Sequence, residues 1–256
     1  MVLRSISKHV KEQNWFAIVL DFIIVVVGVF LGIQVANWNT DAGNRLQEHA
    51  YLTRLYEDIE ESIVNQTRDI NFLNMQLADQ AIVLKSLDSC AVAPDDIIPF
   101  QRAINMLGFI NVPRFTRRTV DEMAASGRTG VIKNVTIQDE LTRIVALIGW
   151  RSGFIDNTSR VIESRRFVVE DYIRYDLNQN YPDTFIGEFA AVNYDINAMC
   201  ADPKVASSIS IISFYTRERR NAYRPILERY NKFLSMLEQE LKNRWGVRLE
   251  TKEVIQ

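Results

Sequence analysis

Hydrophobic positions follow two regimes along this chain: one continuous block near the N-terminus, then long stretches at helical spacing. From Trp15 to Ile33 the sequence reads WFAIVLDFIIVVVGVFLGI, with Asp21 as its one charge. Extended to Trp38, this makes a helix of about 24 residues and roughly 36 Å, enough to cross a hydrocarbon core of ~30 Å with some tilt. Trp15 and Trp38 bracket the block, as amphipathic rings do at the two water interfaces of a bilayer. A cleaved signal peptide would have a shorter apolar core and small residues at its cleavage site, a rule that Gln34-Val35-Ala36 fits badly. The pattern predicts a transmembrane helix over 15–38, a tail over 1–14 and a helical-bundle domain over 39–256.

After Asn39 the spacing turns periodic. Leu52, Tyr56, Ile59, Ile63, Gln66, Ile70, Leu73, Leu77, Gln80, Leu84 and Leu87 form a heptad-like series. Nine of these eleven are apolar or Tyr, which predicts an amphipathic helix to about Ser89. Asp95 or Asp96 is placed to cap a short helix to about Leu107. Thr119-Val-Asp-Glu122 has capping-box spacing, with a stop at Ser126-Gly127. Thr136 is placed to cap a second long helix, from Ile137 to Leu177. Asp202-Pro203 opens a third that runs to Trp245-Gly246, and Pro225 predicts a kink or break near Tyr223. No stretch shows sustained strand alternation. The expected fold class is all-α: one N-terminal transmembrane helix, then an antiparallel bundle of long helices with short helical insertions.

The charge in the apolar block changes the picture of that helix. Asp21, Val25, Gly28, Gly32 and Asn39 fall on one stripe. A G-x-x-x-G pair lets two helix backbones approach closely, and an acid on the same stripe faces protein rather than lipid. The stripe predicts a packing seam against a second copy or another membrane protein, although glycine is also common in membrane helices generally. Arg4, Lys8 and Lys11 precede the block, whereas Arg45 is the one Lys or Arg between Asn39 and Thr53. That bias places the N-terminus in the cytoplasm and the domain outside, in the periplasm of a Gram-negative cell.

Composition narrows the chemistry. Lys and Arg total 30 against 32 Asp and Glu, a net charge of −2 that gives no general attraction to nucleic acid. The arginine clusters Arg114/Arg117/Arg118 and Arg217/Arg219/Arg220/Arg224 read as solvated surface. With His9 and His49 as the two histidines, no zinc-finger spacing or catalytic triad is evident, and neither a catalytic residue nor a cofactor or metal is expected. Ala125-Ser126-Gly127-Arg128-Thr129-Gly130 lacks phosphate-loop spacing and reads as a helix end and turn. Arg151, Thr158 and Arg165 either line a polar pocket or face solvent, the second reading being favoured. Cys90 and Cys200 each follow a helical segment and precede a Pro-containing turn, so they form either one disulfide pinning two loops or two buried thiols.

Two stretches resemble a family of uncharacterised bacterial single-pass membrane proteins. One is the span and its exit, where Asp21, Gly28, Gln34, Asn37, Trp38 and Asn39 match an acid, an aliphatic run with Gly, then L-Q-I-N-N-W-N. Asp21 stands where that family has Glu, and Ala36-Asn37 replaces the commoner Asn pair. The other is TVDEMAASGRTGVIKN over 119–134, similar to a Thr-x-x-x-hydrophobic-x-x-Ser-Gly stretch ending before Asn. The resemblance implies the bacterial inner membrane and this architecture, and supplies no activity. The sequence thus points to a membrane-anchored interaction or accessory protein. The rivals are a ligand-sensing module that signals through a partner, and an ion-coupled subunit using Asp21.

Overall fold

The computed structural model describes residues 15–247. The expected tail over 1–14, with Arg4, Lys8 and Lys11, lies outside the described residues. The chain divides into two units, residues 1–52 and 53–256. Among the described residues there are six helices and one two-stranded sheet: α1 (Trp15–Ser89), α2 (Ile97–Asn105), α3 (Arg118–Ala125), α4 (Val135–Glu170), β1 (Ile173–Asp183), β2 (Gly187–Tyr194), α5 (Ile196–Ala201) and α6 (Pro203–Trp245). The fold is all-α in class, with a small hairpin.

In the first unit, α1 carries the apolar block, and it runs on through Asn39-Thr40-Asp41 without a break. The Thr40 hydroxyl turns back to donate to the Ala36 carbonyl at 2.9 Å, a bond that leaves the helical ladder in place. This helix is long and apolar enough to cross a membrane.

The second unit is built on the C-terminal half of α1, α4 and α6. Along α1 the heptad series faces inward: Tyr56, Ile59, Ile63, Gln66, Ile70, Leu73, Gln80 and Leu87 are buried, and Leu77 and Leu84 half-buried. Gln80 bonds Thr216, Asn74 bonds Arg220, and Cys90 bonds Cys200, so α6 runs antiparallel to α1. Asn134 and Glu140 meet Glu240 and Arg229, so α6 is antiparallel to α4 as well. It follows that α1 and α4 run parallel. Two apolar clusters fill the space between them. Ile70, Leu73, Ile155, Ala222 and Tyr223 form one. The other gathers Val83, Leu87, Ile104, Ile162, Val169 and Ile209, with Phe100 of α2 fully buried among them.

Several boundaries depart from expectation. α4 stops at Glu170 instead of Leu177, and β1 and β2 pair antiparallel from Ile173↔Tyr194 to Asp183↔Gly187. Strand alternation is hard to see in the sequence because the register shifts between Asp176 and Asn180 and β1 is largely polar. The hairpin is tied down by α2. Asn105 donates to the Ala190 carbonyl, and the Gln101 side-chain oxygen accepts from the Val192 N–H. Tyr172, expected inside the helix, instead donates from its hydroxyl to Asp202, the residue that caps α6.

Asn134, not Thr136, caps α4, accepting from the N–H groups of Thr136 and Ile137. Thr119 does not cap α3 either. Its own N–H donates at 2.9 Å to buried Asp58 of α1, which also takes Arg118. α6 continues through Pro225. Asn221, whose carbonyl loses its bond to Pro225, is exposed to water, while Ala222, Tyr223 and Ile226 are buried on the other side and hold the helix together. α6 opens and closes where expected, on the Asp202 cap and on Gly246 at φ 68°.

Candidate functional site

The stretch from Met106 to Arg117, between α2 and α3, is irregular, yet much of it is covered. Irregular backbone inside a domain needs hydrogen-bond partners. α1 and α6 supply them from buried side chains. Gln76 donates to the carbonyls of Met106 and Phe109, and the Ser62 hydroxyl accepts the Thr116 N–H at 3.0 Å. From the opposite side, Tyr223 donates to the Asn111 carbonyl, Tyr230 to that of Arg114, and Arg219 to that of Phe109 at 3.4 Å. Ser62 and Gln76 of α1 are thus matched to the backbone of this connector.

Arg219 corrects the surface reading of its cluster. It is 2% exposed, and its other bond is to the Thr216 hydroxyl at 3.4 Å. Burial without a carboxylate pushes its pKa below that of an exposed guanidinium. Arg117 and Arg118, in contrast, are exposed and paired, Arg117 with Asp121 and Arg118 with Asp58 and Glu61. Thr158 is buried and donates to the Ile155 carbonyl, while Arg151 is half-buried and Arg165 exposed, so no polar pocket forms from these three.

The connector borders a partly open cavity of about 100 Å³ with Asp69 in its wall. Asp69 is 3% exposed; one carboxylate oxygen accepts from the Asn111 amide at 3.1 Å and the other has no hydrogen-bond partner. Desolvation raises the Asp69 pKa, opposed by Arg114 and the Asn111 bond. The native carboxyl therefore holds its proton more tightly than the unfolded one. Its stabilising contribution is complete below the unfolded pKa of about 3.9 and is lost as pH rises through the native value. Asp69→Asn should accordingly raise Tm at pH 7, with the gap closing as pH falls toward 4. Equal Tm at both pH values would contradict this account of the site.

A second buried charge group sits nearby in sequence. Arg102 of α2 reaches Asp79 of α1 at 2.6 Å and Asp183 of β1 at 3.4 Å. Asp183 also accepts from the N–H groups of Phe185 and Ile186, closing the hairpin turn. Burial raises the Asp79 pKa despite the Arg102 charge. This arrangement joins α1, α2 and the hairpin.

The sites expected from sequence lie elsewhere. On α1, Val25, Gly28, Gly32 and Asn39 are exposed and Asp21 half-buried. A Cβ added at Gly28 or Gly32 would meet nothing within 4 Å, so this face is open to a neighbour. Trp15 and Trp38 are 70% and 76% exposed. Cys90 and Cys200 are joined in a disulfide, with 5.7 Å between their Cα atoms. Among the described residues no group of three or more His, Cys, Asp or Glu could hold a metal ion. Asp69 was not among the expected residues, and Arg219 was expected at the surface.

Comparison of the chain with protein-family models, curated proteins and solved structures gave no match.

Proposed function

We propose that this chain is a single-pass membrane protein that acts by association, its helical domain held outside the cytoplasmic membrane of a bacterium. The observation that carries this reading is the apolar N-terminal part of α1, long enough to span a bilayer and with none of its most apolar window buried. In water such a surface, more than twenty residues long, would drive aggregation; in lipid it is the stable arrangement. The cytoplasmic N-terminus rests on Arg4, Lys8 and Lys11. The Cys90–Cys200 disulfide agrees with an oxidising compartment for the domain, the periplasm in a Gram-negative cell. The bacterial assignment leans on the two stretches, 21–39 and 119–134, that resemble the uncharacterised family.

Association runs through Asp21, Val25, Gly28, Gly32 and Asn39, toward a second copy or a membrane-protein partner. Small residues let the backbones approach, and Asp21 is then shielded from lipid. Oxidative crosslinking of single-cysteine variants across 21–39 in membranes tests this, since the two native thiols are already bonded to each other. Crosslinking should peak at these five positions and fall between them, and Gly28→Leu should suppress the peaks. A flat profile would remove the self-association reading, and one partner protein crosslinked periodically in its place would identify the neighbour. An ion-coupled role for Asp21 requires that Asp21→Asn abolish function.

A further inference from the structure

We propose that the cavity beside the connector is a binding site for a small zwitterion, an α-amino acid of the size of glycine or alanine, taken by its ammonium on Asp69 and by its carboxylate on Arg68 and Arg114. The inference is independent of the membrane-association reading, and either can fail without the other.

Charge is the first argument. Asp69 lines the cavity, and one of its carboxylate oxygens is buried with no hydrogen-bond partner. A buried acceptor left unmatched is costly, and a ligand donor is what completes it. An ammonium group fits because it brings both hydrogen and charge. Arg68 and Arg114 also line the cavity, and both are exposed. Both charges act on Asp69 through space, but neither guanidinium forms an ion pair with it, so both keep donors for a ligand. A simple cation would be opposed by the two guanidiniums, and a simple anion by Asp69. A molecule carrying both signs satisfies all three groups.

The walls argue the same way. Phe72 and Phe109 meet edge to face at 5.4 Å, Phe185 lies 5.6 Å from Phe72, and all three line the cavity with Asp69. Aromatic faces attract an ammonium group. Arg68 is held in position by its bond to the Phe185 carbonyl at 3.0 Å. The Asn111 amide fixes one oxygen of Asp69, while the other has no partner. Volume sets the size. About 100 Å³ is well below the ~300 Å³ at which drug-sized sites begin.

Isothermal titration of the detergent-solubilised full-length chain with glycine and L-alanine tests the proposal. Sodium acetate and methylammonium chloride at matched ionic strength supply each half of the zwitterion alone. At least one amino acid should bind saturably, and both half-molecules about tenfold or more weaker. Asp69→Asn, expected to fold with a raised Tm, and Arg114→Gln, at an exposed position, should each weaken binding by about tenfold or more. Absence of saturable binding by either amino acid would overturn the site. So would equal binding of methylammonium or acetate, or unchanged affinity in Asp69→Asn.

Discussion

Replacing both Cys90 and Cys200 by serine should lower the stability of the second unit by about 5 kcal/mol, the loop-entropy scale for a bridge between residues as far apart as these. The bond spans 110 residues of sequence and ties the end of α1 to α5, just before α6 begins. For a domain of this size the loss corresponds to a Tm lowered by about 10 °C. Differential scanning fluorimetry of the double variant, and of the native protein with and without reductant, measures it. Two thiols titrating in the unreduced, denatured native protein would contradict the bridge itself. There is a local corollary. Cys90 ends α1 at φ 47°, in the left-handed region, with the Ala91 N–H closing back on the Ser86 carbonyl at 3.1 Å. That position favours glycine, so Cys90→Gly with Cys200→Ser should lose about 1 kcal/mol less than the double serine variant.

The second large effect is expected at Arg102. Arg102→Met leaves the buried carboxylates of Asp79 and Asp183 facing each other without a cation. Removing one member of a buried ionic group costs about 3–5 kcal/mol, and because Arg102 is partly exposed the lower end applies. The sign of its pH dependence follows from Asp79, whose native pKa is already raised by burial. Without Arg102 that pKa rises further, so the penalty attaches to the ionised form. The Tm gap between native and Arg102→Met protein should be widest near pH 7 and shrink toward pH 4. A gap that is constant across this range would mean that Arg102 acts through its aliphatic stem alone.

Much of the helical frame was legible because it depends on local chemistry. The α1 seam, the Asp202-Pro203 opening of α6 and the glycine stop at Gly246 each follow from spacing or from one residue's backbone preference. What escaped was set by distant partners. The hairpin hides behind a polar β1 and a register shift, and its backbone is satisfied by Gln101 and Asn105, some ninety residues away in sequence. Thr119 has the right spacing for a capping box, but Asp58 reaches its N–H first. Arg219 looked like one of four surface arginines, and its burial follows from the connector whose Phe109 carbonyl it meets. The candidate site has the same character. Asp69 gains its environment from Asn111 and from Phe185 in the hairpin turn, and neither contact leaves a trace in the local pattern around residue 69.

Bilayer residence of the N-terminal part of α1 is the claim on which the functional reading depends, and flotation in a density gradient after alkaline extraction tests it most directly. The full-length chain should rise with the lipid fraction and leave it only in detergent, while a variant beginning at residue 39 should stay in the dense soluble fractions. An intact chain that remains soluble without detergent, or a truncated one that still floats, would contradict the account.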